Sequence, residues 1–223
     1  MSVRVDTERL LWSGKLTRTT RTATKNPRSV MSVWIRQAVE EVYRQWLAMP
    51  QEWTPAQREK FIDLCTEHMD RKAAEMAMDL RDDSVRQWRD DHGQHPDFLT
   101  TVRLYETAVE NAREAVVRQE LYDTIPLTQD GDPIPAEPVT GVPWEKRWMD
   151  HRYQIAESTD EMDDHVRLVW PDHSSMFRVL AAMLLTARHQ EDRPLPRTRR
   201  DQLAHDLVPE INEMMIRMRR PPE

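Results

Sequence analysis

The chain has 223 residues, 32% of them charged, a formal net charge of −7 and a single cysteine, Cys65. One cysteine excludes an intrachain disulfide and cysteine zinc sites, and the acidic balance argues against wholesale nucleic-acid coating while allowing a local basic site. The four glycines, Gly14, Gly93, Gly131 and Gly141, are too dispersed to cradle a phosphate, which excludes P-loop, dinucleotide-binding and kinase-type chemistry in its usual form.

Residues 1–29 read as an extended basic arm. Lys15, Arg18, Arg21, Lys25 and Arg28 follow Trp12 with no acidic residue between them. The intervening threonines favour extended structure over helix, and Asn26-Pro27 breaks the chain. From Val30 the pattern turns helical. Met31, Trp34, Ile35, Ala38, Val39, Val42 and Trp46 share one face, which predicts a helix ending before Pro50.

Thr54, Pro55 and Gln57 spell a capping box with proline at the first helical position. The helix they open carries Phe61, Leu64, Cys65, Met69, Ala73, Met76 and Leu80 as its buried stripe and stops by Gly93. Asp97 opens a third long helix with a heptad-like seam of Val102, Tyr105, Val109, Ala112 and Val116. Ala108, Ala112 and Ala115 would let a neighbour approach closely; a helix of the same domain is the expected neighbour, with an intermolecular coiled coil as the alternative.

Residues 125–143 hold Pro126, Pro133, Pro135, Pro138 and Pro143, so they read as an irregular connection that covers a surface or separates two units. Asp130-Gly131 is the one place expected to turn a small hairpin. Beyond it the spacing predicts a helix over 144–157, an acidic segment, a strongly apolar helix over 174–189 at the centre of the C-terminal packing, and a last helix capped by Thr198 and interrupted or restarted at Pro209. The expected fold is therefore all-α: an N-terminal helical group (30–124), the Pro-rich loop (125–143) and a C-terminal helical group (144–223), preceded by the arm.

No catalytic constellation stands out. Asp150, His151, Glu157, Asp160, Glu161, Asp164, His165, Asp172 and His173 invite a metal reading, yet the Glu-x-x-His of helical di-metal sites occurs nowhere. Asp91, His92, His95 and Asp97 form a His-x-x-His broken by glycine on a polar turn. His205-Asp206 is too short a pattern to carry a phosphohydrolase, and no Gly-x-Ser-x-Gly elbow is present. Cys65 sits among apolar helical positions and reads as core. No catalytic residue, metal ligand or cofactor is therefore assigned.

The positive features are surfaces. Lys15, Arg18, Arg21, Lys25 and Arg28 can follow a phosphate backbone or an acidic protein. Arg197, Arg199 and Arg200, with Arg193 and the C-terminal arginines, make the chain basic at both ends and acidic between, which suits self-association. Trp144 and Trp148, one turn apart, read either as packing for the loop or as an aromatic anchor for a partner. These features point to a non-enzymatic assembly or adaptor protein, such as a phage or mobile-element structural component. The alternatives are a DNA- or RNA-binding regulator using the arm and a metal-dependent helical hydrolase. With no apolar h-region at the N-terminus and no apolar run beyond the stretch around Val179 to Leu185, no membrane contact is expected, and the location is cytoplasmic or within a virion.

Overall fold

The computed structural model describes residues 33–155 and 158–219; the basic arm lies outside them. The fold is all-α, with no strand among the described residues. Helix α1 (Val33–Val42) continues as a π-helical turn, Tyr43–Leu47. Helix α2 (Pro55–His92) and helix α3 (Phe98–Glu120) are the longest elements and pack mainly on each other. Helix α4 (Asp160–Val169), helix α5 (Ser175–Gln190) and helix α6 (Gln202–Arg219) complete the chain.

The caps account for the helix starts. Thr54 Oγ1 accepts from the Gln57 N–H and the Gln57 side chain accepts from the Thr54 N–H, so both halves of the capping box form. Gly93, at φ 69°, closes α2 in the left-handed conformation, and its N–H donates to the Arg89 carbonyl. Asp97, Thr159 and Ser174 each accept a backbone N–H at the start of α3, α4 and α5. At α6 the expected Thr198 cap is replaced. Asp201 accepts the N–H groups of Arg197 and Leu203, and the helix begins one residue later. Pro209 lies inside α6 without ending it.

Two clusters of buried side chains organise the molecule. The first joins α1, the proximal part of α2 and the end of α3 around Ile35, Val39, Phe61, Leu64, Val116 and Leu121. Its centre is aromatic: Phe61 meets Tyr43 edge-on at 4.9 Å, and Trp53 lies 5.1 Å from both Phe61 and Tyr153. The second cluster gathers Val166 and Val169 of α4, Phe177, Leu180 and Leu184 of α5, and Ile211 of α6.

The Pro-rich segment straps the first cluster. Gln51 and Ala136 donate backbone N–H groups to Val139 and Gln45, and Trp53 Nε1–H donates to the Val142 carbonyl at 2.8 Å. Asp130-Gly131 makes a tight turn closed by the Thr128 N–H on the Asp132 carbonyl, with a single bridge between Leu127 and Pro133 and no strand. The expected helix over 144–157 is a correction. Among the described residues of this stretch, only Trp144–Met149 is helical, in 3₁₀ form. Asp150 takes the N–H and guanidinium of Arg152, turning the chain, and Tyr153 and Ile155 then return to the first cluster. Trp34 is corrected too: at 37% exposure it lies at the margin of α1 rather than on its buried face.

Candidate protein-interaction surface

Beyond the first cluster α2 and α3 continue together as a helical hairpin. From Ala77 to His92, α2 has about 24 Å of length in which α3 is its partner. Between residues 77 and 112 the buried residues are Ala77, Pro96, Ala108 and Ala112. Small side chains let the two backbones approach, but they bury little surface. Lys72 pairs with Glu120 at the base, and the Arg81 guanidinium lies 5.4 Å from the Tyr105 ring centroid further out, which fixes the antiparallel register.

The expected seam on α3 splits into two lines. Ala108, Ala112 and Val116 are buried, against α2 and the first cluster. Val102 and Val109 are half-buried and Tyr105 is 38% exposed, so this second line lies along the flank of the helix pair rather than in its seam. At the turn, Phe98 and Leu99 stand open to solvent at 79% and 66%. Met78 adds an exposed apolar side chain on α2.

The sequence-derived candidates are distributed differently. Lys15, Arg18, Arg21, Lys25 and Arg28 lie outside the described residues. Arg197, Arg199 and Arg200 are exposed on the loop before α6, and Arg199 pairs with Asp172 at 2.7 Å. Trp148 is buried in the second cluster, with Nε1–H donating to Glu210 at 3.0 Å, which removes it as a surface anchor. Trp144 is half-buried at 5.0 Å from Trp53 and carries the Arg147 guanidinium 4.3 Å from its ring centroid. The two tryptophans thus serve different clusters, because a 3₁₀ segment turns them apart where an α-helix would have aligned them.

Arg147 is itself 2% exposed. It pairs with Glu191 and donates to the Trp144 and Ala187 carbonyls, tying the 3₁₀ segment to the end of α5. Burial pulls its pKa down from the ordinary arginine value, and the Glu191 charge opposes that pull. Sequence reading missed this group: nothing in a Glu-Lys-Arg-Trp run distinguishes the cation that will be buried.

A groove of about 1300 Å³ opens between α2 and the strap, over a floor that includes Tyr43, Trp46 and Phe61. Arg71, Lys72, Glu75 and Glu120 line it with both signs of charge. Cys65 lies at its edge but is buried, and burial holds its thiol far above the usual cysteine range, so it is not a poised nucleophile. Among the described residues no three histidine, cysteine or carboxylate side chains converge as metal ligands. His165 is engaged by the Pro196 carbonyl and His92 stacks on Trp88; Glu157 lies outside the described residues. No described helix is long and apolar enough to cross a membrane.

No family model matches the chain, and neither a curated protein nor a solved structure is significantly similar to it.

Proposed function

We propose that this protein is a non-enzymatic assembly or adaptor protein, of the kind that serves as a structural component of a phage or mobile element, and that it works through protein–protein contacts. The observation that carries this reading is the α2–α3 hairpin. A helical lever extends from an aromatic core, is held by an alanine seam, and leaves apolar side chains open along its length and at its tip. Monomeric soluble proteins tend to bury such a line, and contiguous apolar surface rimmed by polar residues marks interaction sites. The exposed Arg197, Arg199 and Arg200 loop supplies a second, basic contact region, and with the arm it is the part of the chain suited to an acidic protein or to nucleic acid.

Native mass spectrometry of the full chain, purified without chelator, tests the reading. Closed multimers or heteromeric complexes free of metal and nucleotide mass are expected. A single copy carrying whole-number metal would overturn it in favour of a metal-dependent enzyme. Copurification of nucleic acid, released by salt and by deletion of residues 1–28, would move the assignment to a nucleic-acid-binding protein.

A further inference from the structure

The Pro-rich strap uses one of its edges and leaves the others open. Pro133, Ala136 and Val139 are half-buried, whereas Ile134, Pro135, Glu137, Pro138 and Thr140 are exposed, a period of three. The anchoring hydrogen bonds keep the same step. The Ala136 N–H donates to the Gln45 carbonyl at 3.1 Å, and the Val139 carbonyl accepts the Gln51 N–H at 2.9 Å. Three residues per turn is the period of polyproline II, whose side chains line three edges. The composition enforces that conformation. Pro133, Pro135 and Pro138 fix their own φ, and Asp132, Ile134 and Glu137 each precede a proline, which keeps them out of the helical region. Gly141, at φ 81°, ends the run. Residues 133–140 thus form a rod about 25 Å long.

The open edges carry a Pro-x-x-Pro pattern. Ile134-Pro135 and Glu137-Pro138 stand exposed, and Ala136 between them turns to the body. A polyproline II segment is read in this manner: residue–proline pairs on two edges enter slots between the aromatic side chains of a partner's groove, while the third edge points away. Here the third edge is the one the protein holds, so the segment is already in the shape that binding requires and little ordering entropy remains to be lost. The groove of about 1300 Å³ separates the strap from α2 and leaves clearance beside it.

Charge narrows the partner further. No lysine or arginine occurs between Arg118 and Lys146. Asp130, Asp132 and Glu137 are exposed and enter no ion pair among the described residues. Of the cations across the groove, Lys72 and Arg152 are committed to Glu120 and Asp150, and Arg71 lies on the α2 wall. The strap is therefore an acidic edge, which a basic surface complements.

We infer that residues 133–140 are a docking surface for a second protein whose aromatic-lined, basic-rimmed groove reads polyproline II. The inference rests on the adaptor reading and names the chemistry of one partner. Contact through a single short rod is small, so the complex is a transient one.

The test titrates ¹⁵N-labelled full chain with a purified SH3 domain whose groove rim carries lysines, up to about 1 mM, and with the same domain after those lysines are replaced by glutamate. Amide shifts should centre on Ile134, Ala136, Glu137, Val139 and Thr140, and the lysine-rimmed domain should bind at least about tenfold more tightly. Pro135→Ala with Pro138→Ala should weaken that binding at least about tenfold. Both prolines are exposed, and unchanged far-UV circular dichroism and tryptophan fluorescence show that the strap still covers its cluster. Asp132→Lys with Glu137→Lys should reverse the preference between the two domains. Absence of strap shifts with either domain at the highest concentration would overturn the inference. So would binding that neither pair of substitutions alters. Either failure leaves the assembly reading to the mass spectrometry above, which detects complexes formed through any surface.

Discussion

The proximal and distal parts of α2 and α3 are made from the same two helices but held in different ways. Near the base, Phe61, Leu64, Met69 and Val116 lie in a cluster closed by α1, Trp53, Tyr153 and the Pro-rich strap. Past Ala77 each helix has the other as its support, and the seam is alanine. The base is thus a core and the distal part a lever. The difference teaches that helix length in this protein is set by caps, whereas local stability is set by how many neighbours each turn has.

The largest effect expected from this contrast is at the base. Phe61→Ala removes a fully buried ring that touches Tyr43, Trp53 and Tyr153, and should cost about 3–5 kcal/mol of global stability. Urea unfolding followed by tryptophan fluorescence measures it. A loss below about 1 kcal/mol would mean that the aromatic cluster is not the keystone of the N-terminal group.

Next in size is the ion pair that joins the 3₁₀ segment to α5. Glu191→Ala leaves the Arg147 guanidinium buried without its carboxylate, and should destabilise by about 3 kcal/mol. Replacing both partners, with Arg147→Met and Glu191→Met, should recover most of that loss, since two charges then leave the interior together. If the double variant is no better than the single one, the carbonyl bonds to Trp144 and Ala187 and the stacking on Trp144 carry the stabilisation instead.

In the lever the effects shrink and become local. Ala77→Gly with Ala112→Gly should cost about 1 kcal/mol per site. That cost should appear as faster amide exchange confined to α2 past residue 77 and α3 before residue 112, with base amides unchanged. Uniform loss of protection through both helices would show that base and lever unfold as one unit rather than separately.

How much of this was legible depended on whether a signal was local. The capping box at Thr54, the Gly93 stop and the Asp97 start each rest on hydrogen bonds within four residues, and each formed as the sequence spells it. The all-α class follows from periodicity over long windows. Periodicity could not show how far the core extends along a stripe. Phe61, Met69, Ala73, Met76 and Leu80 recur evenly, yet the first three are buried while Met76 and Leu80 are half-exposed. Nor could it separate the two lines of α3, because Tyr105 and Ala108 are both one helical step from a buried position and only the neighbour decides which is covered. The 144–157 segment failed for a related reason. Its spacing fits a helix, but Asp150 and Arg152 close a turn and Tyr153 is claimed by a cluster built from residues a hundred positions earlier.

The finest distinction between base and lever lies in their caps and in what acid does to them. Helix α2 begins at the base with the Thr54 hydroxyl, which does not titrate. Helix α3 begins at the tip with the Asp97 carboxylate, which accepts the Thr100 N–H at 2.7 Å. That backbone bond is the main cause holding the Asp97 pKa below the ordinary aspartate value. A carboxyl whose pKa is depressed by folding contributes its stabilisation above the unfolded value of about 3.9, and loses it as pH falls from there through the folded value. Acidification below pH about 4 should therefore fray the first turn of α3, read as faster exchange and shifted amide resonances at Thr100 and Thr101, before the Thr54 turn responds. Asp97→Asn keeps a cap oxygen and should abolish the pH dependence while leaving the turn formed at neutral pH. If the two helix starts respond together, or if Asp97→Asn frays with acid as the wild type does, the tip is governed by the net charge of the hairpin rather than by its cap.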